Sequence, residues 1–244
     1  MLLMDIKLNN MQKRVSGAVR HFWQTRRAQY TKQKTSGKSD QGARSAVTGG
    51  AQMDGFIELL TTLICKVGVE EANVSYKKAL ELPGYFRPEK QWDLLVVKDN
   101  QLIIAVEVKS QTGPSFGNNF NNRTEEAMGS ALDLWTAYRE GAFNKTVRPW
   151  LGYLFLLEDC AKSNSPIQVR EPHFEVFPEF KNASYCKRYE IFCRKLVRER
   201  HYSATCFITS IQKTGIKGVY KETAEDLTFP IFAKSLISHI RAYG

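Results

Sequence analysis

Two β-rich runs separated by a polar turn constrain this chain more than any other feature. They are Trp92-Asp93-Leu94-Leu95-Val96-Val97 and Leu102-Ile103-Ile104-Ala105-Val106-Glu107-Val108-Lys109, with Asp99-Asn100 between them. Aliphatic runs flanking such a dipeptide predict a β-hairpin. Side chains alternate along a strand, so Glu107 and Lys109 share one face while Val106 and Val108 take the other. Register decides where Asp93 falls. A strict two-residue turn sets it against Val106; a three-residue loop through Gln101, or a bulge, sets it against Glu107. We favour the second, which gathers two carboxylates and an ammonium on one patch. Ionised groups at the ends of buried strands are costly unless compensated. A divalent cation and a phosphate would compensate them. Mg²⁺ takes carboxylate and carbonyl oxygens and keeps several waters, a need that Asp93, Glu107 and the Val108 carbonyl meet. Lys109 would then lie near an attacking water or the phosphate. A charged pair closing a strand at the solvent boundary gives the same pattern, so these residues alone do not decide.

Neighbouring residues extend the candidate site. Asp54-Gly55-Phe56-Ile57-Glu58 opens a helix predicted over residues 54–67, with Phe56, Leu59, Leu60 and Leu63 as its apolar face. Glu58 could supply a further metal ligand or orient a water; on spacing alone an ordinary exposed helical glutamate fits slightly better. Gln111 continues the Glu107/Lys109 face and could hydrogen-bond near the phosphate, or simply end the strand.

The chain has 244 residues and is 43% hydrophobic, enough for one large domain with a real core. No run reaches the length of a membrane span, and the first residues lack the pattern of a secretory signal. Five cysteines, with no Cys-x-x-Cys, point to reduced thiols and the cytoplasm. His21, His173, His201 and His239 lack the spacing of a metal site. Of the net charge of +10, residues 1–44 carry +8, from ten Lys and Arg against Asp5 and Asp40. Arg26, Arg27, Lys32, Lys34, Lys38 and Arg44 cluster there. Such an arm suits a phosphate backbone; a solvated helix face with a tail has the same composition.

Met11, Val15, Ala18, Val19 and Phe22 recur at helical spacing, which predicts an amphipathic helix over residues 5–32 anchored by Trp23. Residues 33–53 read as a loop. Its Gly37-Lys38-Ser39 is no phosphate-binding loop, because the required glycine would fall at Lys32 and no strand precedes it. Residues 112–123 read as an Asn-rich loop, and Thr124-Glu125-Glu126 caps a helix to about residue 142. A strand is expected at 151–157, irregular chain at 160–182, a basic helix at 184–200, a strand at 205–211 and a helix at 231–242. Strands interleaved with helices predict an α/β fold, a mixed central sheet flanked by helices in a single domain. Residues 1–50 form its basic helix and loop, and residues 51–244 its core. Asn pairs bidentately with adenine and Arg with guanine, so Asn118, Asn119, Asn121, Asn122 and Arg123 are candidates for DNA contact. Asn and Gly equally build tight turns. On the basic helix Lys187, Arg188 and Arg194 are further candidates, part DNA contact and part solvated surface.

Asp93…Glu107-Val108-Lys109 resembles the PD-(D/E)xK nuclease motif. Gly49-Gly50-Ala51-Gln52-Met53-Asp54-Gly55-Phe56, with the run from Glu107 through Gly113-Pro114-Ser115-Phe116-Gly117-Asn118-Asn119-Phe120-Asn121-Asn122-Arg123 to Glu126, resembles the XhoI family of type II restriction endonucleases. The similarity covers nearly the whole chain, from about His21 to the last helix. It implies a restriction-endonuclease-like core and a Mg²⁺-dependent enzyme cutting double-stranded DNA. The implied site is the palindrome CTCGAG, cut after the first C to leave 5′-phosphate ends and 5′ overhangs. Asp93 and Glu107 become metal ligands and Lys109 the catalytic lysine; Trp92 stands where the motif has proline. A palindrome cut on both strands calls for a homodimer, and a companion methyltransferase is expected without direct contact. Two rivals share these residues: a structure-specific repair or recombination nuclease, and a non-catalytic DNA-binding protein in which Glu107 and Lys109 form a structural ion pair.

Overall fold

Asp99 and Asn100 both adopt positive φ, 49° and 61°, the backbone that a two-residue hairpin turn requires. In a computed structural model, which describes residues 8–35, 50–144 and 147–243, this turn pairs Lys98 with Gln101 and Val97 with Leu102. Ile103 is then an extra residue, and beyond it the register runs from Val96 opposite Ile104 to Leu94 opposite Val106. The hairpin therefore combines both expected devices, a two-residue turn and a bulge. Asp93 sits just outside the first strand.

Among the described residues seven strands follow in chain order: β1 (Val74–Ser75), β2 (Glu81–Pro83), β3 (Glu89–Gln91), β4 (Leu94–Lys98), β5 (Gln101–Gln111), β6 (Trp150–Glu158) and β7 (Ala204–Ser210). The longer helices are α1 (Leu8–Thr35), α2 (Asp54–Lys66), α3 (Phe116–Arg139), α4 (Tyr185–Arg198) and α5 (Phe229–Tyr243). The main sheet has the order β1-β4-β5-β6-β7. β1, β4 and β5 are antiparallel; β5, β6 and β7 are parallel. Parallel neighbours need crossover connections, and α3 and α4 supply them. β6 is buried on both faces, as its unbroken apolar run demands. Trp150, Leu154 and Leu156 pack with α1, α2 and α5, while Leu151, Tyr153, Phe155 and Leu157 pack with α3 and α4. Among the described residues no helix is long and apolar enough to cross a membrane.

The N-terminal helix is welded to this core. Val15, Val19 and Phe22 are fully buried, and the Trp23 indole N–H donates to Ser210 Oγ at 3.0 Å. Lys38 and Arg44 lie outside the described residues.

Two segments differ from expectation. The Asn-rich stretch is helical: α3 begins at Phe116, not at residue 124, and ends at Arg139. Asn is a weak helix former, but Phe116 and Phe120 are one turn apart and pack on Tyr185 and Tyr189 of α4. Tertiary burial decides the helix. Gly117 permits the approach, because a Cβ there would meet the Tyr185 hydroxyl at 2.6 Å. The second segment is residues 74–91, where no regular element was expected. Strands of two or three residues carry no period to read, yet β2 and β3 pair as a separate two-stranded ribbon.

Asp133 of α3 clamps the tip of that ribbon. Its buried carboxylate accepts from the backbone N–H groups of Tyr85 (2.7 Å) and Phe86 (2.8 Å) and from Arg87 Nε (2.7 Å). Gly84 is needed beside it, since a Cβ would lie 2.6 Å from Asp133 Oδ2. Burial opposes ionisation of Asp133, but the three donors overcome it and leave its pKa below the ordinary value. Asp133→Ala should cost about 2 kcal/mol, the scale of charge-assisted hydrogen bonds, read by urea unfolding. A depressed folded pKa means that this contribution is fully present above the unfolded value of about 3.9 and fades as pH falls through the folded one. The stability difference between wild type and Asp133→Ala should therefore be constant above about pH 5 and shrink in acid.

Candidate active site

The site forms because β5 outruns β4. β4 begins at Leu94, opposite Val106, while β5 continues to Gln111 with β6 on its other side. Residues 107–111 thus have an open edge. Asp93 closes the first step of it: its N–H donates to Val106 O (3.1 Å), and its Oδ2 accepts from the Val108 N–H (2.8 Å). The N–H and C=O of one strand residue point to the same side, so the Val108 carbonyl faces the Asp93 edge too.

Glu107 and Lys109 share a face, as alternation required. Lys109 Nζ lies 3.1 Å from Glu107 Oε1 and 3.4 Å from Asp93 Oδ2. Glu107 is 2% exposed, so its charge needs partners. Two were not foreseen. Lys90 of β3 places Nζ 3.3 Å from Glu107 Oε1, and the Tyr202 hydroxyl lies 3.1 Å from Glu107 Oε2. That hydroxyl is also 3.1 Å from the Ala127 carbonyl of α3 and can donate to one acceptor at a time. Lys90 sits in a three-residue strand and Tyr202 in a turn, so neither carries a motif that the sequence would reveal.

Burial pushes the Glu107 pKa up, but Lys109 and Lys90 outweigh it and hold the carboxyl below its ordinary range. Burial likewise works against the Lys109 ammonium, and Glu107 and Asp93 outweigh it, raising its pKa. Both groups are therefore ionised at neutral pH. Tyr153, in register with Glu107 on the next strand, is fully buried, and its hydroxyl has no hydrogen-bond partner among the described residues.

The donors suit a hydrated hard cation. They comprise two carboxylates and a carbonyl aimed along the same edge. Among the described residues no group of three or more His, Cys, Asp or Glu is placed to hold a metal ion by itself. Mg²⁺ is held by one or two carboxylates plus water and substrate oxygens; a structural zinc site would need more ligands.

Other candidates are placed as follows. Glu58 is exposed on α2, whose apolar side packs on the sheet face opposite Glu107. No hydrogen bond or ion pair among the described residues joins it to Asp93, Glu107 or Lys109. Gln111 is 3% exposed, with its amide nitrogen donating to Phe116 O (3.0 Å) and its oxygen accepting from the Tyr189 hydroxyl. Its polar groups anchor the start of α3. Asn118, Asn121 and Asn122 are exposed on the first turns of α3, and Asn119 and Arg123 are half-buried. Arg123 pairs with Glu126, and its charge is felt by Lys109. On α4 the basic side chains are engaged internally: Lys187 with Glu190, Arg188 with the Ala183 and Ile167 carbonyls, Arg194 with Asp226 and Glu190.

The family model for restriction endonuclease XhoI matches residues 32–222. The chain belongs to the XhoI restriction endonuclease family. It is 57% identical over 210 residues to the type II restriction enzyme BstVI of Geobacillus stearothermophilus, covering 84% of this chain and 93% of that one. It is 52% identical over 162 residues to the type II restriction enzyme XhoI of Xanthomonas vasicola, covering 66% of this chain and 65% of the relative. Over 172 residues it is 50% identical to the type II restriction enzyme AbrI of Azospirillum brasilense, covering 70% and 77%. No solved structure matches the chain. This XhoI-family protein is thus a type II restriction endonuclease, a site-specific deoxyribonuclease, and its five-stranded mixed sheet flanked by helices is a restriction-endonuclease-like core. The Asp93–Glu107–Lys109 cluster and the exposed asparagines of α3 all fall within the family match.

Tyr202→Phe removes a hydroxyl from a buried carboxylate without changing ring volume. It should lower stability by about 1.5 kcal/mol, the scale of a hydrogen bond to a charged group, with the near-native near-UV circular dichroism retained.

Proposed function

We propose that this enzyme uses Mg²⁺ to hydrolyse both strands of DNA at CTCGAG, cutting after the first C to leave 5′-phosphate ends and 5′ overhangs. The observation that supports the reading best is the meeting of Asp93, Glu107 and Lys109 at the open edge of β5. Asp93, Glu107 and the Val108 carbonyl would hold the metal. When bound, the ion lowers the pKa of water and neutralises charge building on the phosphate. Lys109 Nζ lies beside both carboxylates, 3.1 Å from Glu107 and 3.4 Å from Asp93. It therefore orients the attacking water and stabilises charge on the pentavalent transition state. Attack is in line, and the products are 5′-phosphate and 3′-hydroxyl ends.

Base reading falls to the exposed Asn118, Asn121 and Asn122 with Asn119 and Arg123, because they lead α3 away from the scissile position and match the groove chemistry of adenine and guanine. Gln111 supports that helix from inside. Lys187, Arg188 and Arg194 reach phosphate only by exchanging their internal partners, which leaves them a secondary role. A palindromic site implies a two-fold homodimer with one active site per strand. A methyltransferase of the same specificity protects the host without touching this chain.

A plasmid containing CTCGAG should be incubated with the purified enzyme, with and without Mg²⁺, and the ends sequenced. Mg²⁺-dependent cuts confined to that site are the expected result. Cuts at another site would overturn the specificity, and duplex binding without cleavage would favour a binding protein. Asp93→Ala, Glu107→Ala and Lys109→Ala should each lower cleavage by about a thousandfold or more, the scale of losing a charge-stabilising group. Robust cleavage by Asp93→Ala would remove it from the site.

A further inference from the structure

Glu107 has more cation than its reaction calls for. Lys109 already lies 3.1 Å from Oε1, yet Lys90 reaches the same oxygen at 3.3 Å from a different part of the fold. Lys90 is held in place on three sides. Its Nζ donates to the Gln91 carbonyl at 3.2 Å and lies 4.4 Å from the centre of the buried Trp92 ring. Its strand partner is the buried Leu82, so this ribbon face points inward. The ribbon itself is fastened at its tip to Asp133. The Lys90 side chain is only 12% exposed.

The charges of this cluster explain what Lys90 does. Asp93 and Glu107 are balanced by Lys109 and Lys90. A divalent cation added beside Glu107 would leave the group with two surplus positive charges, and like charges a few ångströms apart in a partly buried site repel strongly. Arriving phosphates would remove that surplus. Without Lys90 the same carboxylates would attract a metal in the absence of DNA.

We infer that Lys90 is a resident counter-ion of Glu107, a positioning residue that holds the carboxylate oriented before loading and disfavours metal binding until DNA phosphate is present. The inference rests on Glu107 being a metal ligand. When the metal takes Glu107, Lys90 keeps the Gln91 carbonyl and the Trp92 face, so its displacement does not strand a buried ammonium. Metal and DNA affinity are thereby coupled, each raising the other by the same factor.

The test is calorimetric titration of the full-length protein with Mn²⁺, without DNA. Lys90→Gln should bind Mn²⁺ about tenfold more tightly than wild type, equivalent to ~1.4 kcal/mol. Lys90→Met, which keeps the hydrocarbon stem on Trp92, should do the same and stands in if Lys90→Gln does not fold. Lys90→Arg keeps the charge and should match wild type, an outcome that a purely packing role would not produce. Unchanged or weaker Mn²⁺ binding in both neutral variants overturns the inference. Glu107→Gln separates the two levels of the argument. If it abolishes Mn²⁺ binding while the Lys90 variants change nothing, the metal site stands and the role of Lys90 falls. If Mn²⁺ binding survives Glu107→Gln, the metal assignment falls and the inference with it.

Discussion

A carboxylate that is 2% exposed, on the central strand pair of a sheet, organises this molecule. Left without partners, Glu107 would cost several kcal/mol. Its partners come from three separate parts of the chain: Lys109 from the same strand, Lys90 from the ribbon and Tyr202 from the segment before β7. Each lowers the cost of burying the charge, so folding the core and assembling the site draw on the same contacts.

The change from antiparallel to parallel pairing at β5 makes the site accessible. An antiparallel partner of equal length would have paired every backbone group as far as Gln111. β4 instead starts opposite Val106, and the five residues beyond keep a strand neighbour on one side only. The backbone is not stranded where β4 ends, because Asp93 Oδ2 accepts from the Val108 N–H. A rigid strand thus carries functional groups to a solvent-facing edge, where a nucleic acid can approach.

Helix α3 serves two opposing needs. Its inward side, Phe116, Phe120, Ala127, Ala131 and Leu134, packs against α4 and the sheet, while its first turns carry exposed asparagines that favour turns over helix. Burial of the aromatic residues and the Gln111 bond to Phe116 O overcome that preference. The asparagines are consequently presented on a fixed helical surface and not on a loose loop.

What the linear chain determined by itself was whatever depends on local period and chemistry. The hairpin around Asp99-Asn100, the shared face of Glu107 and Lys109, the apolar stripe of α1, the buried run of β6 and the motif that marks the family are all local. Only the tertiary structure decided that residues 116–123 are helical, that β2 and β3 form a ribbon, and that Lys90 and Tyr202 meet Glu107. Gln111 likewise stands on the expected face but turns both ends of its amide inward. The physical reason is the same in every case. A three-residue strand or an asparagine-rich turn has little conformational preference of its own, so burial and charge compensation by residues tens of positions away select its structure.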